Sequence, residues 1–301
     1  MRGLFVLVVL SALVLGGCLS VFKKSEPAPS AVEGVEQIRV KADQGLAESQ
    51  FKLGVMYYEG KGVSQDYKQA FAWCRKAAKQ GLVKAQTNLG VMYEEGQGVP
   101  QDYNQAVTWY RKAANQGSAE AQFNLAVMYE KGRGVMQDYN QASAWYRKAA
   151  DQGDAAAQFA LGVIYYEGQG VQQDYNQASS WYRKAADQGH AKAQFNLAVM
   201  YDEGQGVPQD YIQAVSWYRK AAEQGHAKSQ FNLGVMYNKG QNVPQDYVQA
   251  YMWINLAAAQ GLENAVKMRD NLVSKLTPSQ IEEGQRLTRD WVASHKAISP
   301  K

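Results

Sequence analysis

Glycines at Gly45, Gly81, Gly117, Gly153, Gly189, Gly225 and Gly261 recur at a fixed interval of 36 residues. The text around them repeats as well. Trp-Tyr-Arg-Lys-Ala-Ala-x-Gln-Gly stands at 109–117, 145–153, 181–189 and 217–225, and with Cys74 for Tyr at 73–81. A constant period of this length specifies a tandem array, in which each unit buries its apolar face against the next. An array also frees the 301-residue chain from the usual division into two globular domains. Hydrophobic content of 46% is ample for a continuous core, and a formal net charge of +4 shows no concentrated basic patch for nucleic acid.

Each unit reads as two helices. In the first, helix A, Ala121, Leu125, Met128 and Tyr129 share one face at helical spacing, with Phe123 and Val127 on a flank. Position 126 and its equivalents hold only Gly or Ala (Gly54, Gly90, Ala126, Gly162, Ala198, Gly234), which implies close approach by a neighbouring helix. Glycines such as Gly96 and Gly98 then stop the helix and turn the chain. The second, helix B, opens on Asp-Tyr-x-Gln six times, from Asp66/Gln69 to Asp246/Gln249, an arrangement expected to form a capping box. Each B helix then places one Trp on its buried stripe: Trp73, Trp109, Trp145, Trp181, Trp217 or Trp253.

The pattern Ala-x-x-x-Leu-Gly-x-x-Tyr-x-x-Gly-x-Gly-Val-x-x-Asp-x-x-x-Ala-x-x-Trp-Tyr-x-Lys-Ala-Ala-x-x-Gly resembles the Sel1-like repeat, a relative of the tetratricopeptide repeat. The resemblance implies an all-α fold, a right-handed α-solenoid of helix-turn-helix repeats with a C-terminal capping helix, serving as a scaffold or adaptor. The organisation expected is an N-terminal half-repeat helix at 31–44, six repeats at 45–260, and capping helices and a tail at 261–301. Thr277, Pro278 and Gln280 mark the start of the last helix.

The first 17 residues read as a signal peptide. Arg2 precedes an apolar run from Leu4 to Leu15, too short to span a bilayer. Leu15-Gly16-Gly17-Cys18 looks like the lipobox of bacterial lipoproteins, which implies lipidation at Cys18. Leu19, by analogy with lipoprotein sorting in enteric bacteria, favours the outer membrane, facing the periplasm. Residues 18–30, with Pro27 and Pro29 among polar neighbours, read as a flexible tether.

Chemistry-bearing motifs are sparse. Three histidines are too scattered for a metal site, no cofactor motif occurs, and Cys74 reads as a small buried apolar residue. Some Sel1-like proteins carry paired cysteines in each repeat, which this chain lacks. Members of the family have been linked to β-lactam binding and hydrolysis. Here Ser20-Val-Phe-Lys23 falls in the tether without the companion motifs of serine chemistry, so no catalytic residue is assigned and no enzyme is expected.

Two surfaces remain. Arg75-Lys76, Arg111-Lys112, Arg147-Lys148, Arg183-Lys184 and Arg219-Lys220 form a basic ridge along the B helices, a possible site for peptidoglycan or an anionic polysaccharide. The leading candidate is the polar stripe of helix A: Lys84, Asn88, Glu95; Glu120, Asn124, Lys131; Lys192, Asn196, Glu203; Lys228, Asn232, Lys239. A helices line the concave face of superhelical arrays, and an Asn there offers both donor and acceptor to a protein partner. The function expected is a membrane-anchored envelope adaptor.

Overall fold

The computed structural model describes residues 34–296. The proposed signal peptide, tether and lipidation site at Cys18 lie outside them. The described residues hold fifteen helices. A first helix, α1 (Val35–Asp43), is followed by six A/B pairs. These are α2 (Ala47–Glu59) with α3 (Tyr67–Lys79), α4 (Val83–Glu95) with α5 (Tyr103–Asn115), and α6 (Ala119–Lys131) with α7 (Tyr139–Asp151). The pairs α8 (Ala155–Glu167) and α9 (Tyr175–Asp187), α10 (Ala191–Glu203) and α11 (Tyr211–Glu223), and α12 (Ala227–Lys239) and α13 (Tyr247–Ala259) follow. Two helices, α14 (Glu263–Val273) and α15 (Pro278–Lys296), complete an all-α solenoid with a C-terminal helix.

The described residues divide into two compact units, one ending at Ala160 and the other beginning at Leu161. In the first, α2 to α7 pack mainly on their sequence neighbours, and α1 packs on α2. In the second, α9 to α14 do the same, and α15 returns to pack on α13. The core is repetitive. Leu53, Leu89 and Leu125 are fully buried in the first unit, and Tyr182, Tyr218, Leu197 and Leu233 are buried in the second.

Two local devices set the repeat. The period glycines close the B helices with φ between +84 and +94°. At Gly81, Gly117 and Gly189 a Cβ would meet nothing within 4 Å. The left-handed dihedral, and not space, is what requires glycine there. At the second glycine of several A-to-B turns, lack of space adds to a positive φ. A Cβ on Gly98 or Gly134 would lie 2.0 or 2.3 Å from the carbonyl oxygen of Tyr67 or Tyr103, at the start of the preceding B helix.

The B helices start differently from the expected capping box. Asp66 accepts from the N–H groups of Lys68 and Gln69 at 2.9 and 3.1 Å. Its own N–H donates to Tyr57 O at 2.9 Å, so the N3 glutamine has no donor to reach back for. The same bond recurs from Asp102 to Tyr93 O and from Asp210 to Tyr201 O. The glutamine before each Asp supplies a further link, as Gln101 Nε2 donates to Glu94 O at 2.7 Å. A reciprocal box does form at α15. Thr277 N donates to Gln280 Oε1 at 2.9 Å while Gln280 N donates to Thr277 Oγ1 at 3.3 Å.

Candidate functional site

In the first unit the A-helix stripe emerges only at its ends. In α4 every residue from Ala85 to Met92 is buried, and in α6 every residue from Ala121 to Met128. Eight residues make about two turns, so each helix is enclosed around its middle by its neighbours. Lys84 and Glu95 lie exposed at the ends of α4, and Glu120 and Lys131 half-exposed at those of α6. Asn88 and Asn124 fall inside, 0% and 3% exposed. They are therefore corrected from surface contacts to interior groups. In the second unit Lys192 and Glu203, and Lys228 and Lys239, are exposed at the ends of α10 and α12, with Asn196 and Asn232 half-buried between them.

The asparagines differ between the two units in what they face. Asn196 and Asn232 stand against the hydroxyls of Tyr182 and Tyr218, fourteen residues earlier on the preceding B helix. Burial raises both phenols well above the usual tyrosine range. In the first unit the tyrosine hydroxyl is engaged elsewhere: Tyr110 donates to Glu94 Oε2 at 2.7 Å and Tyr146 to Glu130 Oε2 at 2.5 Å. Asn124 Nδ2 is left without an acceptor. At Asn88 the fourteen-residue register falls on Cys74, which has no hydroxyl, and both amide atoms of Asn88 lack a partner. Cys74 is a free, buried thiol whose pKa burial pushes up to about 12, the reverse of an activated nucleophile.

The same tyrosines explain the Gly/Ala position of helix A. A Cβ on Gly90 would come within 2.5 Å of the Tyr110 ring, and one on Gly162 within 2.4 Å of Tyr182. The close approach there is by an aromatic face from the B helix of the same repeat, while at Gly54 and Gly234 the neighbours are Cys74 Sγ and Ile254 Cγ1. Ala126 and Ala198 accept a Cβ at the equivalent position, both fully buried.

On the B helices, the arginines of the basic ridge are held by the A helix of the following repeat and the lysines by their own helix. Arg111 and Arg219 donate to the Tyr129 and Tyr237 hydroxyls at 2.8 Å, and Arg183 to that of Tyr201. Lysine Nζ atoms sit over tryptophan rings: Lys76 on Trp73 at 3.7 Å, Lys148 on Trp145 and Lys184 on Trp181 at 3.8 Å. A cation over an indole face is already matched electrostatically. The ridge is as much a packing device as a charged surface.

A glutamine ladder, which the sequence reading missed, joins the repeats. Gln86 Nε2 donates to Ala78 O at 3.2 Å across the joint to the preceding repeat. Its Oε1 accepts from Gln116 at 2.7 Å. Gln122 repeats this with Ala114 O at 3.1 Å and Gln152 at 2.8 Å, and Gln194 with Ala186 O at 3.0 Å and Gln224 at 2.8 Å. The strict recurrence of Gln four places into helix A was the available signal.

Among the described residues no cluster of His, Cys, Asp and Glu is able to hold a metal ion, and no helix is long and apolar enough to cross a membrane. The Sel1 repeat family model matches six consecutive segments: 47–82, 83–118, 119–154, 155–190, 191–226 and 227–262. A crystal structure from Escherichia coli, described as a protective antigen of uropathogenic strains displaying an SLR fold, is similar at 39% identity and TM-score 0.80 over 86% of the chain. The chain spans 56% of that structure's length. A Sel1 repeat protein from Oxalobacter formigenes is 34% identical with TM-score 0.64, over 74% of this chain and 94% of that one. No curated protein matches.

Proposed function

Because the chain belongs to the Sel1 repeat family, whose members generally mediate protein–protein interaction on a scaffold that is typically non-enzymatic, we propose that it is an adaptor anchored in a bacterial envelope. Partners are gathered across the ends of its A helices. The observation that carries this reading is the regular exposure of charge there. Lys192, Lys228, Glu203 and Lys239 recur at the 36-residue period on two successive A helices of the second unit. A repeated array of mixed sign favours an extended protein ligand over a uniformly anionic polymer. Lys84, Glu95, Glu120 and Lys131 supply the corresponding ends in the first unit. The lipobox-like Leu15-Gly16-Gly17-Cys18 supports attachment at the outer membrane, facing the periplasm. The protective-antigen description of the E. coli relative fits an envelope location.

The test combines in-cell cross-linking with mass spectrometry. The chain with Lys192→Glu, Lys228→Glu and Glu203→Lys should keep its helical signal and lose the partners that the unaltered chain captures. An unchanged set of partners at unchanged helicity refutes the assigned face. Membrane fractionation of Cys18→Ala should move the protein to the soluble fraction, and retention in the membrane would refute the anchor.

A further inference from the structure

Two of the three histidines are helix caps. His190 precedes α10 and its Nδ1 accepts from the Ala193 N–H at 3.2 Å. His226 precedes α12 and its Nδ1 accepts from the Ser229 N–H at 3.3 Å, with Ser229 Oγ 2.9 Å away. The equivalent positions in the first unit hold Leu46, Leu82, Ser118 and Asp154. Only a ring nitrogen without a proton accepts a hydrogen bond, so both caps require neutral imidazole.

We propose that the starts of α10 and α12 form an acid-sensitive joint: neutral imidazoles hold the first turns closed, and their protonation releases them. The setting on balance opposes the charged ring, although a backbone hydrogen bond at His190 acts the other way. The His226 ring lies against Phe195, with centroids 4.9 Å apart. Lys192 follows His190 on α10; Lys228 on α12, Lys192 on α10 and His190 itself bear on His226. The preceding B helices end in Asp187 and Glu223, both exposed to solvent. From α15, Trp291 approaches Gly225, His295 stacks on Trp291 at 3.8 Å, and Arg289 and Asp290 are exposed. A helix N-terminus adds positive potential of its own. Burial first, and the lysines second, lower both histidines from 6.5 to about 4.

The direction follows from linkage. The opened joint, with ordinary imidazole, binds protons more readily than the closed one. The joint's stability is complete above about pH 6.5 and falls as the pH drops toward 4. A solenoid that loosens at two successive repeats changes the spacing of the A-helix ends on either side of them.

Hydrogen exchange of the full chain at pH 7 and pH 5, corrected for intrinsic rates, reads this directly. Opening that exposes either ring should rise about twentyfold between the two pH values, given pKa values of 6.5 and about 4. The start of α6, where Ser118 Oγ accepts from the Ala121 N–H at 3.2 Å, should change less than twofold. In the chain with His190→Ser and His226→Ser, the rise at α10 and α12 should vanish. An equal rise at α6, or a rise that survives the double substitution, overturns the proposal. NMR titration of the unsubstituted chain gives a second reading: imidazole midpoints below about 5.5 support it, and higher ones refute it.

Discussion

Removing one rung of the glutamine ladder tests how the repeats are joined. Gln122 is 5% exposed and links its own helix, α6, to two others. It donates to Ala114 O on α5 and accepts from Gln152 at the end of α7. In Gln122→Ala both bonds are lost. Ala114 O keeps the Gly117 N–H at 3.1 Å, and Gln152 is exposed and rehydrates, so neither is stranded. Two net bonds at about 1 kcal/mol each give a loss of about 2 kcal/mol. Gln152→Ala removes one of the same bonds and should cost about 1 kcal/mol. The double substitution should therefore fall short of the sum by about 1 kcal/mol. Because repeat arrays need not unfold all-or-none, the quantity to measure is the hydrogen-exchange free energy in α5, α6 and α7. Gln141→Ala, at an exposed site on α7, serves as the control and should stay within about 0.5 kcal/mol. A Gln122→Ala loss no larger than the control, or additive behaviour of the pair, would refute the ladder as a source of inter-repeat stability.

Four further substitutions follow from the packing. Gly98→Ala combines a left-handed φ of +71° with overlap on Tyr67 O and should cost about 3 kcal/mol or more in thermal unfolding; Gly90→Ala should stay within about 1 kcal/mol, since Ala126 and Ala198 show that the tyrosine face accommodates a Cβ and alanine gains helix propensity. Tyr146→Phe takes a donor from Glu130, whose pKa burial already raises and whose bond to Tyr146 lowers it. The Glu130 midpoint should move further up, and stability at pH 7 should fall by about 1.5–3 kcal/mol, as read by carboxylate NMR and urea unfolding. Cys74→Tyr should destabilise by about 1–3 kcal/mol, because Phe51, Phe71 and Met92 already fill that space. Adding Phe71→Val, the residue type at the equivalent Val107, should recover most of the loss in the same unfolding assay.

What the sequence made legible was whatever the period repeats. Ala121, Leu125, Met128 and Tyr129, read as one helical face, fall within α6, and Thr277 and Gln280 pair at the start of the last helix. The candidate stripe was less legible because a helical wheel reports direction and not depth. Asn88 points along the same angle as Lys84 and Glu95, yet enclosure by adjacent helices buries the middle of the stripe and leaves its ends. The Gln86 ladder and the Lys76–Trp73 stacks were hidden for another reason. Their partners lie eight and thirty residues away in one case, and in the other a charge that reads as solvated is anchored on its own helix.

The period joints carry a consequence for how such a chain changes in length. Excising residues 119–154 would bring Ser118 directly before Ala155, placing a capping side chain where Asp154 now accepts from the Ala157 N–H at 2.7 Å. Gln158, which now donates to Ala150 O at 3.1 Å, would find Ala114 O in the same register. No bond of the ladder would be left open, and the joint glycine Gly117 has empty space beside it. Copy number is therefore a nearly independent variable, and the length of the array can be edited a whole repeat at a time.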